Sequence, residues 1–163
     1  MDLIQKIKRI EQYVVENFEE LDMDDPVEEG YWEEYQEIPG ASQKEIEAFE
    51  KKFSIKLPKD FKELYSYKNG SKYFSILPST IHDVEMSFSL MSLEQIVKTK
   101  QYFQNRDALL TEFPDFFTEE DIEKMRDSRI KPYLFHKQWI PFAEYCDSCF
   151  LMLDFYPDKE GKD

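Results

Sequence analysis

Residues 38–70 read IPGASQKEIEAFEKKFSIKLPKDFKELYSYKNG, a stretch that holds two short helices together with the residues that start and stop them. Pro39-Gly40-Ala41 makes a turn. Ser42, followed three residues later by Glu45, is a capping box, in which each side chain satisfies a backbone N–H that the helix leaves without a partner. The box opens a helix with Ile46, Phe49 and Phe53 on one face. That helix gives way at Ser54-Ile55-Lys56. Leu57-Pro58 leads into the next, which carries Phe61, Leu64, Tyr65 and Tyr67, because proline suits a first turn where its missing N–H costs nothing. Asn69-Gly70 stops it, where a left-handed residue is easy to place.

Toward the N-terminus, Leu3, Ile7, Ile10, Val14 and Phe18 recur at three- and four-residue steps and predict an amphipathic helix over residues 2–19. From 19 to 37 the pattern breaks into Asp22, Asp24, Asp25, Pro26, Glu28, Glu29 and Gly30, followed by Tyr31, Trp32, Glu33, Glu34 and Tyr35. This reads as an acidic loop with an aromatic patch. Downstream, Tyr73–Leu77 is rich in strand formers, and residues 84–90 alternate Val84, Met86, Phe88 and Leu90 with Glu85, Ser87 and Ser89, the mark of a half-buried strand. Ser92 with Gln95 is a second capping box and opens a helix through Ile96, Val97, Tyr102 and Phe103 that ends near Asn105. Residues 106–117 read as a loop with aromatic anchors, after which Thr118 caps a short helix from Glu119 to about Asp127. Trp139–Tyr145 and Cys149–Phe155 are strand-like and are joined by Cys146-Asp147-Ser148, a hairpin link. The change of period from helical to alternating predicts an α+β fold, with helices packed on a mostly antiparallel sheet.

With 163 residues, 41% of them hydrophobic, the chain can bury one continuous core, and a single domain is expected. It starts Met1-Asp2-Leu3 without a secretory pattern, and its apolar runs fall short of the roughly 18 residues that span a bilayer. Two closely spaced cysteines do not make a disulfide framework. A cytosolic protein is expected. The net charge of −14 opposes binding to nucleic acid or anionic membranes, which need a basic footprint. Residues 1–37 hold thirteen acidic and three basic side chains, ten of those fourteen excess charges. A charge so localised favours a basic protein partner, with Asp22, Asp24, Asp25, Glu28, Glu29, Tyr31, Trp32, Glu33 and Glu34 as the candidate binding residues. The alternative is a solvated loop that only keeps the protein soluble. Likewise, Tyr31, Trp32 and Tyr35 are either a lid over the core or an anchor for a partner.

Catalytic and metal chemistry find little support. Cys146 and Cys149 have redox spacing but sit between two strands, without the helix N-terminus that lowers a thiol pKa. Zinc would need His82 and His136, and neither has a neighbour at ligand spacing. His82-Asp83 lacks the further histidines of a metal-dependent phosphohydrolase. A calcium loop counted from Asp22 would need glycine at the sixth place, which is Val27, although Glu33 stands at the twelfth. No glycine-rich phosphate loop is present. No cofactor, metal or catalytic residue is expected.

The 38–70 stretch resembles the SUKH superfamily, which includes the fungal Smi/Knr-type cell-wall regulators and many bacterial immunity proteins. The resemblance rests on the capped helix with Ile46, Phe49 and Glu50, the Leu57-Pro58 pair and the close on Asn69-Gly70. It resumes at Ser92-Leu93-Glu94 and again at residues 139–157, where Trp139, Pro141, Leu153 and Asp154 take family places. The family core is thus expected over 38–157. Residues 106–130 look longer than the usual connection. The chain closes at Lys162-Asp163 where the family usually continues with a Gly-Gln-apolar strand, so that strand is either cut off or absent. The resemblance implies a non-catalytic binding module, in the bacterial branch an immunity protein that neutralises a toxin, often a nuclease or deaminase. A cell-envelope scaffold of the Smi/Knr type is the alternative, and an enzyme comes third.

Overall fold

Side-chain caps open four of the six described helices of this protein. The computed structural model describes residues 2–81, 84–103, 107–125, 131–146 and 149–157. Its helices are α1 (Leu3–Glu16), α2 (Tyr31–Glu37), α3 (Gln43–Phe53), α4 (Lys59–Tyr67), α5 (Leu93–Phe103) and α6 (Glu119–Met125). Asp2 Oδ1 accepts the Gln5 N–H at 2.8 Å and opens α1, which buries Ile7, Glu11 and Val14. The box predicted at Ser42 forms, with Ser42 N donating to Glu45 at 2.7 Å and Glu45 N donating to Ser42 Oγ at 3.3 Å. The box at Ser92 forms in the same way with Gln95. The chain divides into two compact units, Met1–Ile96 with Phe142–Leu151, and Val97–Pro141 with Met152–Asp163.

In the first unit, the link between α3 and α4 is held by a buried carboxylate. Glu50 accepts the Leu57 N–H at 2.8 Å and pairs with Lys62 at 2.9 Å, so the Leu-Pro turn and both helices meet on one side chain. The Lys62 contact, more than any other, holds the Glu50 carboxyl below its usual range. Gly40 lies against the end of α4. A Cβ there would stand 1.8 Å from the Ser66 carbonyl oxygen, while Ala41 N donates to Tyr65 O at 2.7 Å. Only glycine lets the turn come this close. Tyr65 donates its hydroxyl to Met91 O at 3.0 Å and the Phe61 ring meets Phe142 edge-on at 5.0 Å, which packs α4 against the sheet.

Four strands, β1 (Leu77–Ile81), β2 (Val84–Leu90), β5 (Trp139–Tyr145) and β6 (Cys149–Asp154), form a sheet in the order β1-β2-β5-β6. β1 and β2 pair antiparallel from Leu77↔Phe88 to Ile81↔Val84, and β2 pairs antiparallel with β5 through Ser89↔Glu144 and Leu90↔Ala143. The fold is α+β, as the change of period predicts. One strand is displaced: it begins at Leu77 and not at Tyr73. Phe74 and Ile76 are buried, but Phe74 N closes a turn onto Ser71 O at 3.0 Å. The apolar composition of 73–77 therefore reflects burial in a loop and not a ladder. Residues 147 and 148 of the hairpin link lie outside the described residues, as do Asn105, Arg106 and Asp127.

The second unit contains what the sequence reads as an unstructured connection. Ala108–Leu109 is a short strand β3, paired antiparallel with β4 (Tyr133–Phe135), and Leu110–Glu112 is a 3-10 turn. A two-residue strand has no period to read. Thr118 caps α6 as expected, its Oγ1 accepting the Asp121 N–H at 3.2 Å. Phe116 is 80% exposed and anchors nothing, in contrast to the half-buried Phe113 and Phe117. Lys100 is buried, and its ammonium donates to the carbonyls of Lys137 and Trp139, at 2.5 and 2.8 Å. Burial pulls its pKa down to about 8.

His136 is also buried there, stacked on Tyr156 with ring centroids 4.9 Å apart and accepting the Gln138 N–H on Nδ1 at 3.2 Å. Burial holds its pKa below the ordinary value, with Asp107 pulling the other way. The folded protein therefore binds this proton less readily than the unfolded chain. Its contribution to stability is present above the ordinary histidine range and is lost as pH falls through it. The carboxylates with lowered pKa act in a more acidic window. Melting curves at pH 7.5 and 5.5 should show a drop that His136→Phe reduces. In the first unit, Gly40→Ala should cost about 3 kcal/mol in denaturant unfolding, since the neighbouring backbone must move.

Candidate partner-binding groove

The acidic segment is folded, and α2 is the part that the sequence reading misses. α1 ends at Glu16, and Asn17 N closes on Tyr13 O at 2.9 Å. Asp25 Oδ1 accepts the N–H groups of Val27 and Glu28 at 2.9 and 3.0 Å, Pro26 is fully buried, and Trp32 N donates to Pro26 O at 2.9 Å. Gly30, at φ +76°, turns the chain into α2, where Glu33 and Glu34 occupy the first turn and favour the helix dipole. The acidic loop expected over 19–37 is thus a set of turns followed by a helix from Tyr31.

Four polar side chains fix α2 to the rest of the unit. Tyr35 OH donates to buried Glu11 at 2.5 Å, and Tyr67 OH donates to the other oxygen at 3.2 Å. Lys68, also buried, donates to the carbonyls of Tyr35, Gln36 and Ile38 at 2.9, 2.8 and 2.9 Å, capping the C-terminal end of α2, and lies over the Tyr35 ring at 4.8 Å. Burial first, then Glu11, pushes up both phenols, Tyr67 to about 12. Burial lowers the Lys68 pKa and Glu11 opposes it. Trp32 is half-buried, its ring 5.2 Å from Phe74 and 5.9 Å from Tyr35. This is the packing of a lid.

Between these turns and the outer face of β2 and β5 lies a groove of about 1060 Å³. Its lining includes the carboxylates of Glu19, Asp22, Asp24, Glu34, Glu85 and Glu144, one lysine, Lys72, and the hydroxyls of Ser75, Ser87 and Ser89. Of the nine candidate residues, Asp22, Asp24, Tyr31 and Glu34 line it, whereas Asp25, Glu28, Glu29, Trp32 and Glu33 do not. Partial burial first, then the charges of Glu29 and Asp24, raise the Tyr31 phenol pKa. Glu85, Ser87 and Ser89 were visible as the polar face of the β2 alternation. Glu144 reaches the groove only through its register opposite Ser89.

Among the described residues no three His, Cys, Asp or Glu side chains converge as a metal site, and His82 and Asp83 lie outside those residues. Cys146 and Cys149 are exposed and form no disulfide, and Cys146 sits at φ +49° on the groove margin. The Tyr145 phenol is raised chiefly by its hydrogen bond with Cys146.

The model of the SMI1 / KNR4 family (SUKH-1) matches residues 40–163. The chain belongs to this family. The SUKH stretch therefore begins at the Gly40 turn and supplies α3, α4 and the sheet, while α1, the acidic turns and α2 precede it, the turns and α2 walling one side of the groove. No curated protein matches the chain. Among the described residues no helix is long and apolar enough to cross a membrane. Lys68→Met should remove the cap on α2 and cost about 2 kcal/mol. Amide exchange should then accelerate over residues 31–37 and stay slow in α3.

Proposed function

We propose that this SUKH protein is an immunity-type protein that binds a basic toxin and occludes its working surface without performing a reaction. The observation that carries this reading is the groove, where carboxylates from the acidic turns, α2, β2 and β5 face a common space. Enzymes that act on nucleic acid, such as nucleases and many deaminases, need a basic channel for a polyanionic substrate. An acidic groove complements such a channel and competes with its substrate. Exposed charges of this kind act mainly on the encounter rate and are screened over about 8 Å at physiological salt. The SUKH family, known for immunity and Smi/Knr-type proteins, supports a binding role.

The test uses stopped-flow association with a basic nuclease toxin domain selected for binding to this protein. Asp22→Lys, Asp24→Lys and Glu85→Lys together should slow association roughly tenfold and flatten its dependence on salt. Glu28→Lys, Glu29→Lys and Glu33→Lys change the net charge equally but lie off the groove, and they should have a clearly smaller effect. Equal effects from the two sets, or none from the first, would remove the groove from the interface.

A further inference from the structure

The floor of the groove is made of short side chains. Ser87 and Ser89 project from β2 on the same face as Glu85, and Ser75 Oγ and Ser89 Oγ hydrogen-bond at 3.3 Å. A floor without bulk lets an incoming backbone approach closely. The wall is aromatic: the Tyr31 and Tyr73 rings pack with centroids 5.6 Å apart, and Tyr73 is 74% exposed. Small-molecule pockets run to about 1,000 Å³ and are mostly apolar. This groove equals the largest of them, and carboxylates and hydroxyls share its lining about evenly with apolar groups such as Leu21, Met23 and Phe74, which suits a segment of polypeptide.

One cation is already placed in it. Lys72 Nζ lies 3.1 Å from Glu34 Oε2, with both side chains more than half exposed. Such a surface pair is weak, so an arriving cation can displace it. A guanidinium offers two things that the lysine does not: a flat face that stacks on a tyrosine ring, and a fork that grips a carboxylate with two parallel hydrogen bonds.

The geometry points to an arginine-bearing, extended peptide segment as the occupant of this groove, its backbone over the serine floor and an arginine stacked on Tyr73 and paired with Glu34 in place of Lys72. This rests on the toxin-binding reading and adds the form of the ligand, a basic loop or tail of the partner instead of a broad folded face.

The probes are fluorescent octapeptides of alternating serine and arginine, and the same peptides with lysine or glutamate, followed by anisotropy at low and physiological salt. The arginine peptide should bind several-fold more tightly than the lysine peptide, and the glutamate peptide should not bind. Tyr73→Ala should weaken the arginine peptide about tenfold and abolish its advantage over lysine. Lys72→Gln should tighten binding, whereas Lys56→Gln, an equal change of charge outside the groove lining, should leave it nearly unchanged. Ser87→Trp fills the floor and should abolish binding while circular dichroism stays unchanged. Equal affinity for arginine and lysine peptides, or an indifferent Ser87→Trp, would overturn the inference. If no peptide binds but the groove charge reversals still slow the toxin, the segment is wrong and the toxin-binding reading stands. If the toxin itself ignores those reversals, that reading falls.

Discussion

The acidic wall of the groove depends on two buried charges and the groups that satisfy them. Glu11 and Lys68 are both withdrawn from water, a costly state for a carboxylate or an ammonium unless hydrogen bonds replace the lost hydration. Two phenols do this for Glu11, and three carbonyls with an aromatic face do it for Lys68. The groups come from α1, α2, the end of α4 and the residue after it, so the arrangement holds only when all of these are in place. Its energetics are asymmetric. A complete network contributes modestly, but loss of one member strands a buried charge and costs far more.

The same network explains which parts of the molecule were legible in the sequence. The starts of α3, α5 and α6 were readable because a capping box is a local device, written within four residues. α2 was not readable. Its carbonyls are capped by a lysine about thirty residues further on, and its polar, aromatic sequence lacks the periodic apolar face of a free-standing helix. Gly40 was recognisable as a turn residue, but its neighbour Ser66 belongs to another helix. The strand formers of 73–77 predict a ladder because burial and pairing favour the same residue types.

The groove was half visible for a related reason. Charge is a property of composition, so the acidity of the first 37 residues showed at once, and Asp22, Asp24, Tyr31 and Glu34 do line the cavity. The opposite wall is a property of register. Glu144 and Ser89 are far apart in the chain and become neighbours only when β2 and β5 pair. Composition leaves Trp32 open as a lid or an anchor, and its packing on Phe74 and Tyr35 is that of a lid.

The match to the family starts at residue 40, at the close turn between the N-terminal segment and α3. One wall of the groove therefore belongs to a segment outside the family stretch, and the floor belongs to the stretch itself. The two parts are joined through few groups, so another leading segment could replace this one and leave the sheet and its helices intact, provided that it still presents a carboxylate to Tyr67 and a helix end to Lys68.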